Sequence, residues 1–72
     1  MKYAVAAVIL IENNLMIEII DAENWLEALS KHSIFTENGK PGDVSWLSSD
    51  ITDAKFDAAS ADILFDIKEL ET

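Results

Sequence analysis

The chain has 72 residues, half of them hydrophobic, and a formal net charge of −9 at pH 7. That apolar content is enough for a core and argues against disorder, while the short length limits the fold to one domain, residues 1–72, with a thin stability margin. Five lysines and no arginine stand against fourteen carboxylates. Phosphate backbones and anionic membranes repel such a chain, so neither nucleic acid nor membrane is an expected direct partner.

The absence of arginine also removes the usual bidentate reader of phosphate and of guanine edges. The absence of cysteine removes disulfides and thiolate sites, which fits a reducing cytoplasm.

The first segment, Tyr3 to Ile11, is a continuous apolar run after Lys2. It ends in Glu12-Asn13-Asn14 with no small-residue cleavage site, and it is half the roughly 20 residues a membrane span needs. A buried strand is the expected state. Leu15 to Ile20 repeats its character, and Asn13-Asn14 between them suits a tight turn because asparagine tolerates left-handed backbone. A hairpin centred there pairs Glu12 with Leu15, Leu10 with Ile17 and Val8 with Ile19.

One face of that hairpin carries Ala4, Ala6, Val8, Leu10, Leu15, Ile17 and Ile19. The other carries Tyr3, Val5, Ala7, Ile9, Ile11, Met16 and Ile20, interrupted by Glu18. Neither alternates cleanly with polar residues, as a sheet with one wet face should.

Asp21 to His32 reads as a helix with Asp21 as N-cap and Glu23 in the first turn. Ala22, Trp25, Leu26 and Leu29 form its apolar stripe, which is expected to cover the first hairpin face. Glu27 and Lys31 are an i, i+4 pair on the wet side. His32, the only histidine, is expected to be a surface or capping residue at the helix end.

Residues 36–43 hold Asn38-Gly39 and Pro41-Gly42, both turn signals, and read as a flexible loop. Val44 and Trp46 are expected to open a third strand running toward Phe56. Ile63, Phe65 and Ile67 alternate with Leu64, Asp66 and Lys68, a period-two strand. Between them, residues 53–61 suit either a wide turn or a short alanine-rich helix, and hairpin topology favours a turn at Asp57 to Ala61. The expected architecture is therefore α+β, a four-stranded antiparallel sheet in the order β-β-α-β-β with one helix on one face.

No motif for catalysis is present. Asp50, Asp53, Asp57, Asp62 and Asp66 lack the alternate spacing and turn glycine of a calcium loop, and zinc would want histidine or cysteine. There is no phosphate-binding glycine loop and no nucleophile motif. No metal, no cofactor and no enzymatic activity are expected.

Two surface features remain. Residues 43–72 hold eight acids and two lysines, a net of −6, against −3 for residues 1–36. Asp50, Asp53, Asp57, Asp62 and Asp66 could engage a basic protein surface, with Trp46 as an aromatic anchor. The second is apolar excess on the sheet, where Tyr3, Val5, Ile9, Ile11 and Met16 form a candidate homodimer face if the helix covers the other side.

The hairpin, the segment Asp21-Ala22-Glu23-Asn24 leading to Glu27-Ala28-Leu29, and the closing Asp62-Ile63-Leu64-Phe65-Asp66-Ile67-Lys68-Glu69-Leu70 together resemble small phage and prophage proteins, some of them acidic anti-CRISPR or other anti-defence inhibitors. The resemblance covers most of the chain, rests on secondary-structure signatures and transfers no functional residues. It implies an inhibitor acting in the cytoplasm of a bacterial host, on a host protein with a basic nucleic-acid-binding surface. The alternative is a structural or assembly domain that homodimerises through the sheet.

Overall fold

The valine- and alanine-rich run forms the central strand of the sheet, β1 (Lys2–Ile9). In the computed structural model, which describes residues 1–70, β1 is flanked by β2 (Met16–Asp21) and β3 (Ile63–Leu70), both antiparallel to it, in the order β2-β1-β3. Two helices, α1 (Trp25–Lys31) and α2 (Ile51–Ser60), lie between β2 and β3 in the chain. The α+β class holds, but with three strands and two helices rather than four and one.

The extra helix occupies the segment left between turn and helix. Asp50 caps it, its Oδ1 accepting from the Asp53 N–H at 3.1 Å, and Asp53 adds negative charge to the first turn. Ala54 and Ala58, four residues apart, are fully buried and let the helix approach the sheet closely. Helix propensity prevails over the hairpin here because β3 finds its partner in β1 instead.

The strand expected from Val44 and Trp46 does not form among the described residues. Local side chains claim the backbone: Asp43 Oδ1 accepts from the Ser45 N–H at 2.9 Å, and Ser48 Oγ accepts from the Asp50 N–H at 3.1 Å. Leu47 is the buried anchor of this irregular stretch.

The first hairpin forms with a longer connection than a two-residue turn. Glu12 and Asn13 both donate to the Ile9 carbonyl, at 3.0 and 2.9 Å, and Asn13 takes the left-handed conformation with φ of 51°. The pairing is Ala4 with Ile19 and Ala6 with Ile17 rather than Leu10 with Ile17. The register is thus slipped by four residues. An even slip leaves each side chain with its facemates, so the two faces keep their membership.

Which face is covered is the larger correction. Both helices sit on the Tyr3, Val5, Ala7 and Ile20 side, and these join Ala28, Leu29, Ala54, Ala58 and Phe65 in one core. The helix stripe does not cover Ala4, Ala6, Ile17 and Ile19. Helix α1 also begins later than expected: Asp21 ends β2, and Asn24 is the N-cap, its Oδ1 accepting from Glu27 N–H at 2.8 Å.

The loop 36–43 contains a tight β-turn. Asn38 and Gly39, with φ of 53° and 76°, join Glu37 and Lys40, whose main chains exchange two hydrogen bonds of 2.9 Å. Gly42 donates to the Ser30 carbonyl at 2.9 Å, and a Cβ there would lie 1.6 Å from the Phe35 carbonyl oxygen. This glycine is demanded by space rather than by φ.

Candidate interaction surface

The uncovered side of the sheet is built by strand periodicity. Alternate residues of β1 put Ala4, Ala6 and Val8 outward, with Ile17 and Ile19 of β2 on one flank and Leu64, Asp66 and Lys68 of β3 on the other. Ile17 and Ile19 are 68% and 61% exposed, and Leu64 is 47% exposed. Scattered exposed leucines and isoleucines need no explanation, but these share one sheet face, Ile17 and Ile19 on β2 and Leu64 across β1 on β3.

The face has relief. The branched side chains of Ile17 and Ile19 make a ridge beside the alanines of β1. A shallow depression of about 160 Å³ is lined by Ala4, Ala6, Ile17, Asp66, Ile67 and Lys68.

Its charge differs from that of the rest of the chain. Lys2 and Lys68 stand beside Asp21 and Asp66 on this side, and Asp21 is also paired with the Met1 ammonium at 3.2 Å. The formal net −9 arises wholly from side chains other than these two lysines and two aspartates. Asp66 also takes Lys55 Nζ at 3.1 Å, and that ammonium, with the Ile67 N–H, holds its carboxyl below the ordinary aspartate range.

The candidate dimer residues fall on the other side. Tyr3 and Val5 are buried beneath the helices, Ile9 and Met16 are half-buried, and Ile11 projects from the β1–β2 connection at 84% exposure. They share no open face. Tyr3 donates to Glu69 Oε1 at 3.4 Å, and burial together with that carboxylate pushes the phenol above its ordinary value.

The five aspartates do not converge either. Asp50 and Asp53 stand at the N-terminus of α2. Asp57 turns inward, its Oδ2 accepting from the Ser48 N–H at 2.9 Å. Asp62, at φ of 61°, makes the turn at the far end of the helix. A ten-residue helix is about 15 Å long, so the acids of its two ends are spread along it rather than gathered at one point. Asp66 belongs to the open sheet face. Trp46 is 46% exposed, and its Nε1–H is occupied by the Asp43 carbonyl at 3.1 Å.

A second concavity, about 470 Å³, lies between β3 and the helices, bordered by Tyr3, Trp25, Ser49, Asp50, Ile51, Ile67 and Glu69. Trp25 stacks on Phe65 beside it, with ring centroids 6.5 Å apart.

His32 caps the C-terminus of α1, as expected, its N–H donating to the Leu29 carbonyl, but it is fully buried rather than at the surface. Its Nδ1 accepts from the Ile34 N–H at 3.1 Å, so the ring proton sits on Nε2, which lies 3.0 Å from the Met16 carbonyl oxygen and donates to it. Both nitrogens hydrogen-bond to the backbone, and Nε2 also lies 3.6 Å from Glu18 Oε2. Sequence reasoning missed this because the Met16 carbonyl is brought to the ring only by tertiary packing.

No group of three or more histidine or acidic side chains that could hold a metal ion occurs among the described residues. No helix among them is long and apolar enough to cross a membrane. No protein-family model, curated protein or solved structure matches the chain.

Proposed function

We propose that this chain is a non-catalytic protein-binding module whose contact surface is the open face of the three-stranded sheet. The observation that carries this reading is that Ala4, Ala6, Ile17, Ile19 and Leu64 share a face that no helix covers. Water contact with such a patch costs roughly 25 cal/mol per Å², a cost a partner removes. The non-catalytic part is supported by His32, whose two ring nitrogens are both spent on main-chain groups.

A second reading is favoured by the charge of −9. In it the chain is a phage-type inhibitor of the anti-CRISPR kind, working in the bacterial cytoplasm by covering a basic nucleic-acid-binding surface on a host protein. Asp50, whose carboxylate caps α2, and Asp53 in the first turn are both exposed, so both would still steer a basic partner.

The two readings separate in one experiment. Wild-type chain and an Ile17→Lys/Ile19→Lys variant serve as baits at low and high salt. A protein held by wild type and lost by the variant, at either salt, supports the sheet face. Partners held equally by both and released by salt support the acidic surface and overturn the first reading.

A further inference from the structure

Resting on the sheet-face reading, we infer that the occupant of that face is a second copy of this chain, packed face to face about a two-fold axis parallel to the strands. The relief of the surface is self-complementary. Ile17 and Ile19 of β2 form a ridge, and Ala6 and Ala4 of β1, their direct neighbours in the pairing, floor the trough beside it. A two-fold between β1 and β2 lays the ridge of each copy in the trough of the other, Ile17 over Ala6 and Ile19 over Ala4. Large against small is how packed sheet faces interdigitate.

Charge selects the same occupant. Two chains of −9 repel through most of their surface, yet the acids of this face, Asp21 and Asp66, are each paired with an ammonium. A basic partner gains nothing by choosing a side whose acids are already paired. In the face-to-face arrangement the helical layers lie on the outside. Stacked sheets are about 10 Å apart, so the acids of the two helical layers are separated by more than the Debye length of about 8 Å at physiological salt. Asp66 and Lys68 of each copy fall at the rim.

The size of the face sets the strength. The arrangement overlaps β1 and β2 of each copy, a footprint of about 10 by 25 Å, smaller than that of a stable specific interface. Weak association, with dissociation from the high micromolar into the millimolar range, is expected, and the dimer should not strengthen when salt is lowered.

Sedimentation equilibrium over a micromolar-to-millimolar series tests this. Wild type should pass from the mass of one chain to the mass of two, equally or more readily at high salt. Ile17→Lys, at an exposed position, should stay folded by circular dichroism and weaken the dimer by about tenfold or more. Ala6→Ile, which raises strand propensity while filling the trough, should do the same. A wild-type chain that remains monomeric throughout overturns the second copy as occupant but leaves the bait experiment free to support another protein. A dimer that survives both substitutions overturns the face itself.

Discussion

The imidazole of His32 donates from Nε2 to the main-chain carbonyl of Met16 at 3.0 Å, tying the end of α1 to the outer strand β2. The ring is fully buried, and Nδ1 accepts from Ile34 two residues on. One side chain therefore closes a helix terminus, starts the following loop and holds an edge strand. His32→Ala should cost about 2–4 kcal/mol, from lost packing and two backbone groups left without their partner. His32→Gln, which keeps a donor at the position of Nε2, should cost less than alanine. Long-range proton–nitrogen NMR correlations should show the Nε2–H tautomer; the Nδ1–H tautomer would contradict the arrangement.

Ile19 and Ile20 are consecutive in β2 but belong to different environments. Ile20 is 8% exposed, against 61% for Ile19. Ile20→Ala should destabilise by about 2–4 kcal/mol, and Ile19→Ala by less than about 1 kcal/mol, read from denaturant midpoints at low protein concentration. Equal losses would mean that both faces are core.

Gly42 and Gly39 make a matched pair of tests. A methyl at Gly42 collides with the Phe35 carbonyl, so Gly42→Ala must shift main chain and weaken the bond to Ser30. A loss of about 3 kcal/mol or more is expected. Around Gly39 no atom lies within 4 Å of an added Cβ, and only its φ of 76° opposes substitution, so Gly39→Ala should cost about 1–2 kcal/mol. Thermal melts of the two variants decide the order.

Acid should destabilise the fold in a defined direction. Lys31 and the Glu23 N–H hold Glu27 below the ordinary glutamate range, as Lys55 does for Asp66 below the aspartate range. A carboxyl with a depressed folded value contributes stability above its unfolded value, and that contribution is lost as pH falls through the folded one. The loss therefore begins below about pH 5 and continues as these groups take up protons. Tyr3 has the opposite sense. Its raised phenol favours the fold below its unfolded value, and this is lost as pH rises past the ordinary tyrosine range. Chemical denaturation across pH checks both arms; Lys55→Ala should flatten the acid arm slightly, since the pair with Asp66 is exposed.

Much of this was legible in the residues. The period-two alternation of Ile63 to Lys68 and the apolar run after Lys2 both mark strands that form, and the two hairpin faces were grouped correctly. What strand periodicity cannot say is which of two apolar faces a helix will take. Tyr3 and Val5 fit beneath helices as well as Ile17 and Ile19 do by hydrophobicity alone. The choice depends on shape across elements, with Tyr3, Val5 and Ala7 meeting Leu29, Ala54 and Ala58. The Val44–Trp46 strand failed for a local reason, because Asp43 and Ser48 offered the backbone nearer partners. Distance between the two ends of α2 dispersed the aspartates, a consequence of the helix that hairpin topology had disfavoured.

Methyl NMR spectra recorded through a dilution series test the pairing of two copies through the open sheet face most directly. The account predicts that the methyls of Ala4, Ala6, Ile17 and Ile19 move with protein concentration, while those of Val5, Leu29, Ala54 and Ala58 stay fixed. Shifts confined to the helical side, or none across the whole series, would contradict it.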